Sequence, residues 1–112
     1  MCTENQLARI LKSVSSFAKE KLRDNHCKVI LYGSYARGDY DKESDIDIMI
    51  IASVSADKLK EYDYSFCVLS SEIGLENDVV VSIILKDAET FNKYSDVLPF
   101  YKNVLKEGID VA

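Results

Sequence analysis

The sequence predicts a single α/β (α+β) domain spanning residues 1–112. Two observations carry this. Two long stretches repeat their apolar residues at spacings of three and four, and three short apolar runs rich in β-branched residues lie between and after them. The size agrees: 112 residues, 47% of them hydrophobic, suit one core and leave no room for a second lobe. Four glycines and one proline, with 29% charged residues, exclude collagen-like, low-complexity and disordered classes.

Residues 5–23 set Leu7, Ile10, Leu11, Val14, Phe17, Ala18 and Leu22 on one face with Lys and Arg between them. This is an amphipathic helix of about five turns, and Asp24-Asn25 is its expected stop. CKVILY, residues 27–32, ends too soon at Gly33 to be a helix and reads as a buried strand. Ile46 to Ala52 has the same character, and a polar, acid-rich loop joins the two as neighbours. A second long helix starts at Ser55, a capping residue, and buries Leu59, Tyr62, Phe66, Leu69 and Ile73. Gly74 is its expected left-handed end. DVVVSIIL, residues 78–85, is the third strand. A short helix follows near Asp87, and a last one runs from Pro99, suited to a first helical turn, to Gly108. These two gather Phe91, Tyr94, Leu98, Phe100, Tyr101 and Leu105 within fifteen residues, which predicts a partner surface.

Charge and cysteine usage remove several functions. The net charge is −5, and residues 39–96 hold fourteen acids against five bases, so no broad basic face for a nucleic-acid backbone is expected. No apolar run approaches the roughly 18 residues of a membrane span. The N-terminus lacks the basic-then-apolar order of a signal peptide, and a cytoplasmic location is expected. Cys2, Cys27 and Cys67 lie far apart, without a C-x-x-C pair and with one histidine, so they read as reduced thiols.

Chemistry concentrates in Gly33 to Ile50, GSYARGDYDKESDIDIMI. Gly33 and Ser34 follow a strand directly, where a sharp turn into a helix start would present amides and a hydroxyl to phosphate oxygens. Gly33 and Gly38 have the spacing of a Walker loop, but Asp39 and Tyr40 stand where it needs Lys and Ser or Thr. Asp45 and Asp47, two apart at the beginning of a strand, point to one face. Ile46, Ile48 and Ile50 alternate with them and belong to the core, while Met49 and Ile51 imply that the aspartate face is also covered further along. Two carboxylates in a partly covered cleft call for cations, and hard oxygen ligands at that spacing suit magnesium with substrate phosphates completing its shell.

Gly33-Ser34, ten intervening residues and Asp45-x-Asp47, with Ala36-Arg37-Gly38 and Ser44 between them, resemble the signature of the minimal nucleotidyltransferases, small members of the DNA polymerase beta superfamily. The resemblance covers most of residues 5–86, and LPFYKNVLKEGI from Leu98 resembles the tail of stand-alone bacterial members. It implies a small mixed β-sheet backed by helices, and magnesium-dependent transfer of a nucleoside monophosphate, AMP from ATP, to an acceptor hydroxyl. It further implies that Gly33, Ser34 and Arg37 bind the triphosphate and that Asp45 and Asp47 ligate two magnesium ions. The family has a third carboxylate on a later strand. Asp78, the acid that begins DVVVSIIL, completes the expected catalytic and metal set, with Glu76 a further candidate. Similar sequences carry that acid nearer the strand's middle, at the place of Val80 or Ser82, and the alternative is that the third ligand is missing. Small members of the family resemble antitoxins that adenylylate a tyrosine of a HEPN-domain toxin, so such a protein is the implied partner. The alternative function is a catalytically weakened antitoxin that acts by binding alone.

Overall fold

The computed structural model describes residues 3–23 and 27–111; Cys2 and the expected stop at Asp24-Asn25 lie outside them. Helix α1 (Glu4–Leu22) begins in a reciprocal cap: the Thr3 hydroxyl accepts from the Gln6 amide at 3.1 Å, and the Gln6 side chain accepts from the Thr3 amide at 3.3 Å. Its apolar face buries Ile10, Val14, Ala18 and Leu22, as their spacing predicts.

Strands β1 (Cys27–Tyr32) and β2 (Ile46–Ala52) pair antiparallel, with Tyr32 opposite Asp47. β3 (Val81–Asp87) runs parallel to β2, with Ser82 level with Asp47. A two-residue strand, β4 (Ile109–Asp110), pairs antiparallel with Leu31 and Ile30, giving the mixed order β3-β2-β1-β4. Helices cover both faces. Ile46, Ile48 and Ile50 pack with α1, Leu59, Phe66 and Ile73; Met49 and Ile51, on the aspartate face, pack with Ile30, Phe91 and Val104. Fully burying one such side chain contributes roughly 1.5–3 kcal/mol, so β2, apolar toward both layers, anchors the domain.

The second long helix is three pieces: α3 (Ala56–Leu59), a 3-10 turn (Lys60–Tyr62) and α4 (Asp63–Asn77). Its end corrects the sequence reading. Gly74 stays helical, and Asp78, at φ 52° and ψ 48°, takes the left-handed cap. Glycine stands at position 74 for closeness instead: a Cβ there would lie 2.8 Å from the Val79 carbonyl, whose own amide donates to Gly74 O at 3.1 Å. The Gln6 side chain donates to the Asn77 carbonyl and side chain at 3.1 and 3.2 Å, tying α1 to the end of α4. β3 consequently begins at Val81, and Asp78 is not on it.

Helices α5 (Ala88–Tyr94) and α6 (Pro99–Glu107) close the second layer, α6 with Pro99 in its first turn as expected. Cys27 is half-buried and Cys67 exposed, both as free thiols, and burial pushes the Cys27 thiol up. Among the described residues no helix is long and apolar enough to cross a membrane.

Asp87 caps α5 from a buried position, its carboxylate accepting from the Thr90 amide at 2.9 Å. Burial alone would raise its pKa, but the bonds from Thr90 outweigh that and hold the carboxyl below its ordinary range. A depressed folded pKa contributes stability above the unfolded value, and that contribution is lost as pH falls through the folded one. Asp87→Ala should therefore cost about 1 kcal/mol in denaturant unfolding at neutral pH, with the deficit shrinking in acid below the carboxylate range.

Candidate active site

Gly33 and Asp47 define the site. Leaving β1, Gly33 takes φ 75° and ψ −157°, a region essentially reserved for glycine. A Cβ there would lie 2.5 Å from Asp47 Oδ2, so the carboxylate rests against bare backbone. Helix α2 (Ser34–Arg37) starts immediately; Ala36 and Arg37 both donate their amides to Gly33 O at 3.1 Å, and Gly38, at φ 86°, ends the turn. Around this turn Ser34, Arg37, Asp47, Tyr32, Asn103 and Glu107 line a cavity of about 400 Å³.

The cavity is electrostatically tense. Burial raises the Asp47 pKa, the charge of Asp45 raises it further, and Arg37 draws it back. Tyr32, paired opposite Asp47, is pushed up to about 12 by burial and by the Asp47 charge, which leaves its hydroxyl protonated at neutral pH. Arg37 donates from Nε to Asp39 Oδ2 and from Nη1 to Glu107 Oε2, each at 3.2 Å. The acids of the loop have other work: Asp41 accepts from the Glu43 amide at 2.8 Å, and its own amide donates to the Ser44 hydroxyl at 3.0 Å, shaping the turn into β2.

Asp45 precedes β2 and is exposed. It lines a second cavity, about 800 Å³, with Tyr35, Ser44, Ser70, Gly74 and Asp78. The two aspartates thus share an electrostatic neighbourhood but open onto different hollows. Asp78 reaches the Asp45 hollow from the end of α4 and does not line the one at Asp47. The row across the sheet through Tyr32 and Asp47 reaches β3 at Ser82, so no acid of β3 stands level with Asp47. Glu76 is exposed on α4. Among the described residues, no group of three His, Cys, Asp or Glu side chains could hold a metal ion.

Sequence reasoning missed Asn103 and Glu107. Both lie some seventy positions beyond the motif, and only the packing of α6 on the sheet brings them to it. Their four-residue spacing places them on one side of α6 once its boundaries are known.

The family model for the nucleotidyltransferase domain matches residues 8–111. Two proteins of Methanocaldococcus jannaschii, each named "Putative protein adenylyltransferase", are similar to this chain. One is 40% identical over 100 residues, covering 89% of this chain and 92% of the relative. The other is 40% identical over 74 residues, covering 66% and 69%. Among solved structures, a chain of a toxin–antitoxin crystal structure with AMP-PNP aligns with TM-score 0.57 at 18% identity, covering 91% of this chain and 72% of that one. A chain from the complex of tri-AMPylated Shewanella oneidensis HEPN toxin with MNT antitoxin aligns with TM-score 0.50 at 15% identity, covering 96% and 71%. These structural likenesses bear on the fold alone.

Proposed function

The chain belongs to the nucleotidyltransferase domain family, and from that premise we propose that it transfers AMP from ATP to a hydroxyl of a protein acceptor. The observation that carries the reading is the seating of Asp47 against the bare backbone of Gly33, in a cavity shared with Ser34 and Arg37. Phosphate-binding groups and a carboxylate meet there through the β1–β2 pairing.

In this reading two magnesium ions would be held by Asp45 and Asp47 only together with the substrate, since the two side chains line different hollows and form no closed protein site. Asp45 and Asp47 are hard oxygen ligands, and the upward push of one charge on the other is what a cation would relieve. With two protein carboxylates as ligands, water and phosphate oxygens would have to complete the shell. When bound, magnesium supplies charge neutralisation at the phosphates and lowers the proton affinity of the attacking oxygen. The chain's own residues bind and orient: Gly33 and Ser34 cradle the triphosphate, Arg37 faces its charge, and the protonated Tyr32 can donate a hydrogen bond. The acceptor oxygen bonds to the α-phosphorus, the bond from that phosphorus to the bridging oxygen breaks, pyrophosphate leaves, and the hydroxyl proton passes to solvent.

The acceptor in this reading is a tyrosine of a HEPN-domain toxin, and the chain is its antitoxin. The relatives named as adenylyltransferases and the fold shared with toxin–antitoxin chains support this. So does the surface of the C-terminal helices, where Phe91 is buried and Tyr101 half-buried but Tyr94, Leu98, Phe100 and Leu105 are between 38% and 50% exposed. Ser82, standing where an acid is expected, favours one second reading: an antitoxin that binds its partner without modifying it.

Transfer is tested with ATP labelled at the α-phosphate, magnesium and a candidate HEPN-domain partner protein. Label should appear on a partner tyrosine, whereas γ-label should leave in pyrophosphate. Asp78→Asn should keep activity within about threefold, since asparagine adopts the same left-handed cap and the acid stands apart from Asp47. An unlabelled partner that is still bound and silenced would establish the binding-only reading.

A further inference from the structure

We propose that Glu107 is a positioning residue for nucleotide binding: through Arg37, it makes α6 the fourth wall of the triphosphate cleft. This rests on the cleft assigned above and adds a residue from the opposite end of the chain. Among the described residues Arg37 is the one cation lining the cavity, and its guanidinium is oriented by two carboxylates. Asp39 is two residues away, 62% exposed at the side chain, and takes Nε. Glu107, 33% exposed, takes Nη1 from across the cavity.

A guanidinium has five N–H donors in a rigid fork, and these two bonds engage two of them. The remaining donors can serve phosphate oxygens while the fork stays fixed. Without Glu107 the long Arg37 side chain would retain only its exposed local partner, and a triphosphate would have to order it on binding.

α6 is well placed to hold this acceptor still. Val104, on the same helix, is 1% exposed in the second core layer, and Phe100 meets Tyr32 edge-on with ring centroids 5.6 Å apart. Behind Glu107, Gly108 permits the chain to pass where a Cβ would fall on the Val104 carbonyl and the Ile30 side chain. The helix end is thus pressed onto β1, the strand that leads into Gly33.

The acceptor oxygen matters more than the charge in this arrangement, because a carboxylate beside a triphosphate is itself repelled. That makes the Gln variant informative. Magnesium-dependent ATP binding is measured by calorimetry on the purified chain, alongside KM and kcat for AMP transfer. Glu107→Ala should raise the Kd and KM for ATP about fivefold with kcat little changed. Glu107→Gln, which keeps an acceptor oxygen, should hold the wild-type Kd or tighten it. In an Arg37→Ala background, Glu107→Ala should add nothing, as two groups acting through one contact are not additive.

A wild-type Kd in Glu107→Ala, an equal loss in Glu107→Gln, or full additivity with Arg37→Ala would each overturn the role of Glu107 while leaving the cleft assignment standing. Absence of ATP binding by the wild type would overturn both.

Discussion

Asp47→Asn should lower AMP transfer by about a hundredfold or more while leaving the fold intact. The substitution preserves the shape of a side chain whose strand is buried on both faces, so the thermal midpoint should stay close to wild type or rise slightly. A rise follows from the charges: burial and Asp45 together disfavour a charge at Asp47 more than Arg37 favours it, and an uncharged side chain removes that opposition. Calorimetric unfolding and α-label transfer, measured on the same preparation, separate these outcomes. Loss of activity without loss of stability marks a carboxylate used for chemistry. Retained activity would remove Asp47 from the site.

Gly33→Ala is the second large effect, and it acts by geometry. The positive φ of Gly33 costs an L-residue roughly 1–3 kcal/mol, before the new methyl meets the Asp47 carboxylate. The methyl and the carboxylate cannot share that space, so either the turn into α2 opens or Asp47 rotates away. A displacement of about 1 Å at a reacting centre can cost a hundredfold in rate. Both the melting midpoint and the transfer rate should therefore fall, whereas Asp47→Asn lowers only the rate. Gly38→Ala is the control: its φ is also positive, yet no atom lies within 4 Å of the added Cβ.

Why the motif was legible and its surroundings were not follows from how far each interaction reaches along the chain. β1 and β2 announce themselves because both faces of β2 are apolar, which leaves the aspartates at its start conspicuous. The start of β3 misleads because Asp78, Val79 and Val80 have strand-like composition next to a helix that has not finished. Val79 is still donating to Gly74, and the left-handed cap that releases the chain falls on an aspartate, not on the nearby glycine. β4 is two residues long, set by the edge of β1, and carries no periodicity to detect. Nothing local marks Glu107 either, since its partner Arg37 lies seventy positions away.

The central place of β2 separates the two aspartates in time as well as in space. Asp47 sits in a strand laddered to β1 on one side and β3 on the other, so moving its backbone means breaking the middle of the sheet, an event on the scale of global unfolding. Asp45 is exposed on a loop that holds its shape through side-chain bonds between Asp41 and Ser44. Loop excursions take nanoseconds to microseconds, far faster than catalytic turnover. In the proposed transfer the pair would therefore combine a stationary reference point with a compliant one: Asp47 would keep a fixed address against Gly33 through a whole cycle, while Asp45 would follow the changing charge as a triphosphate becomes pyrophosphate.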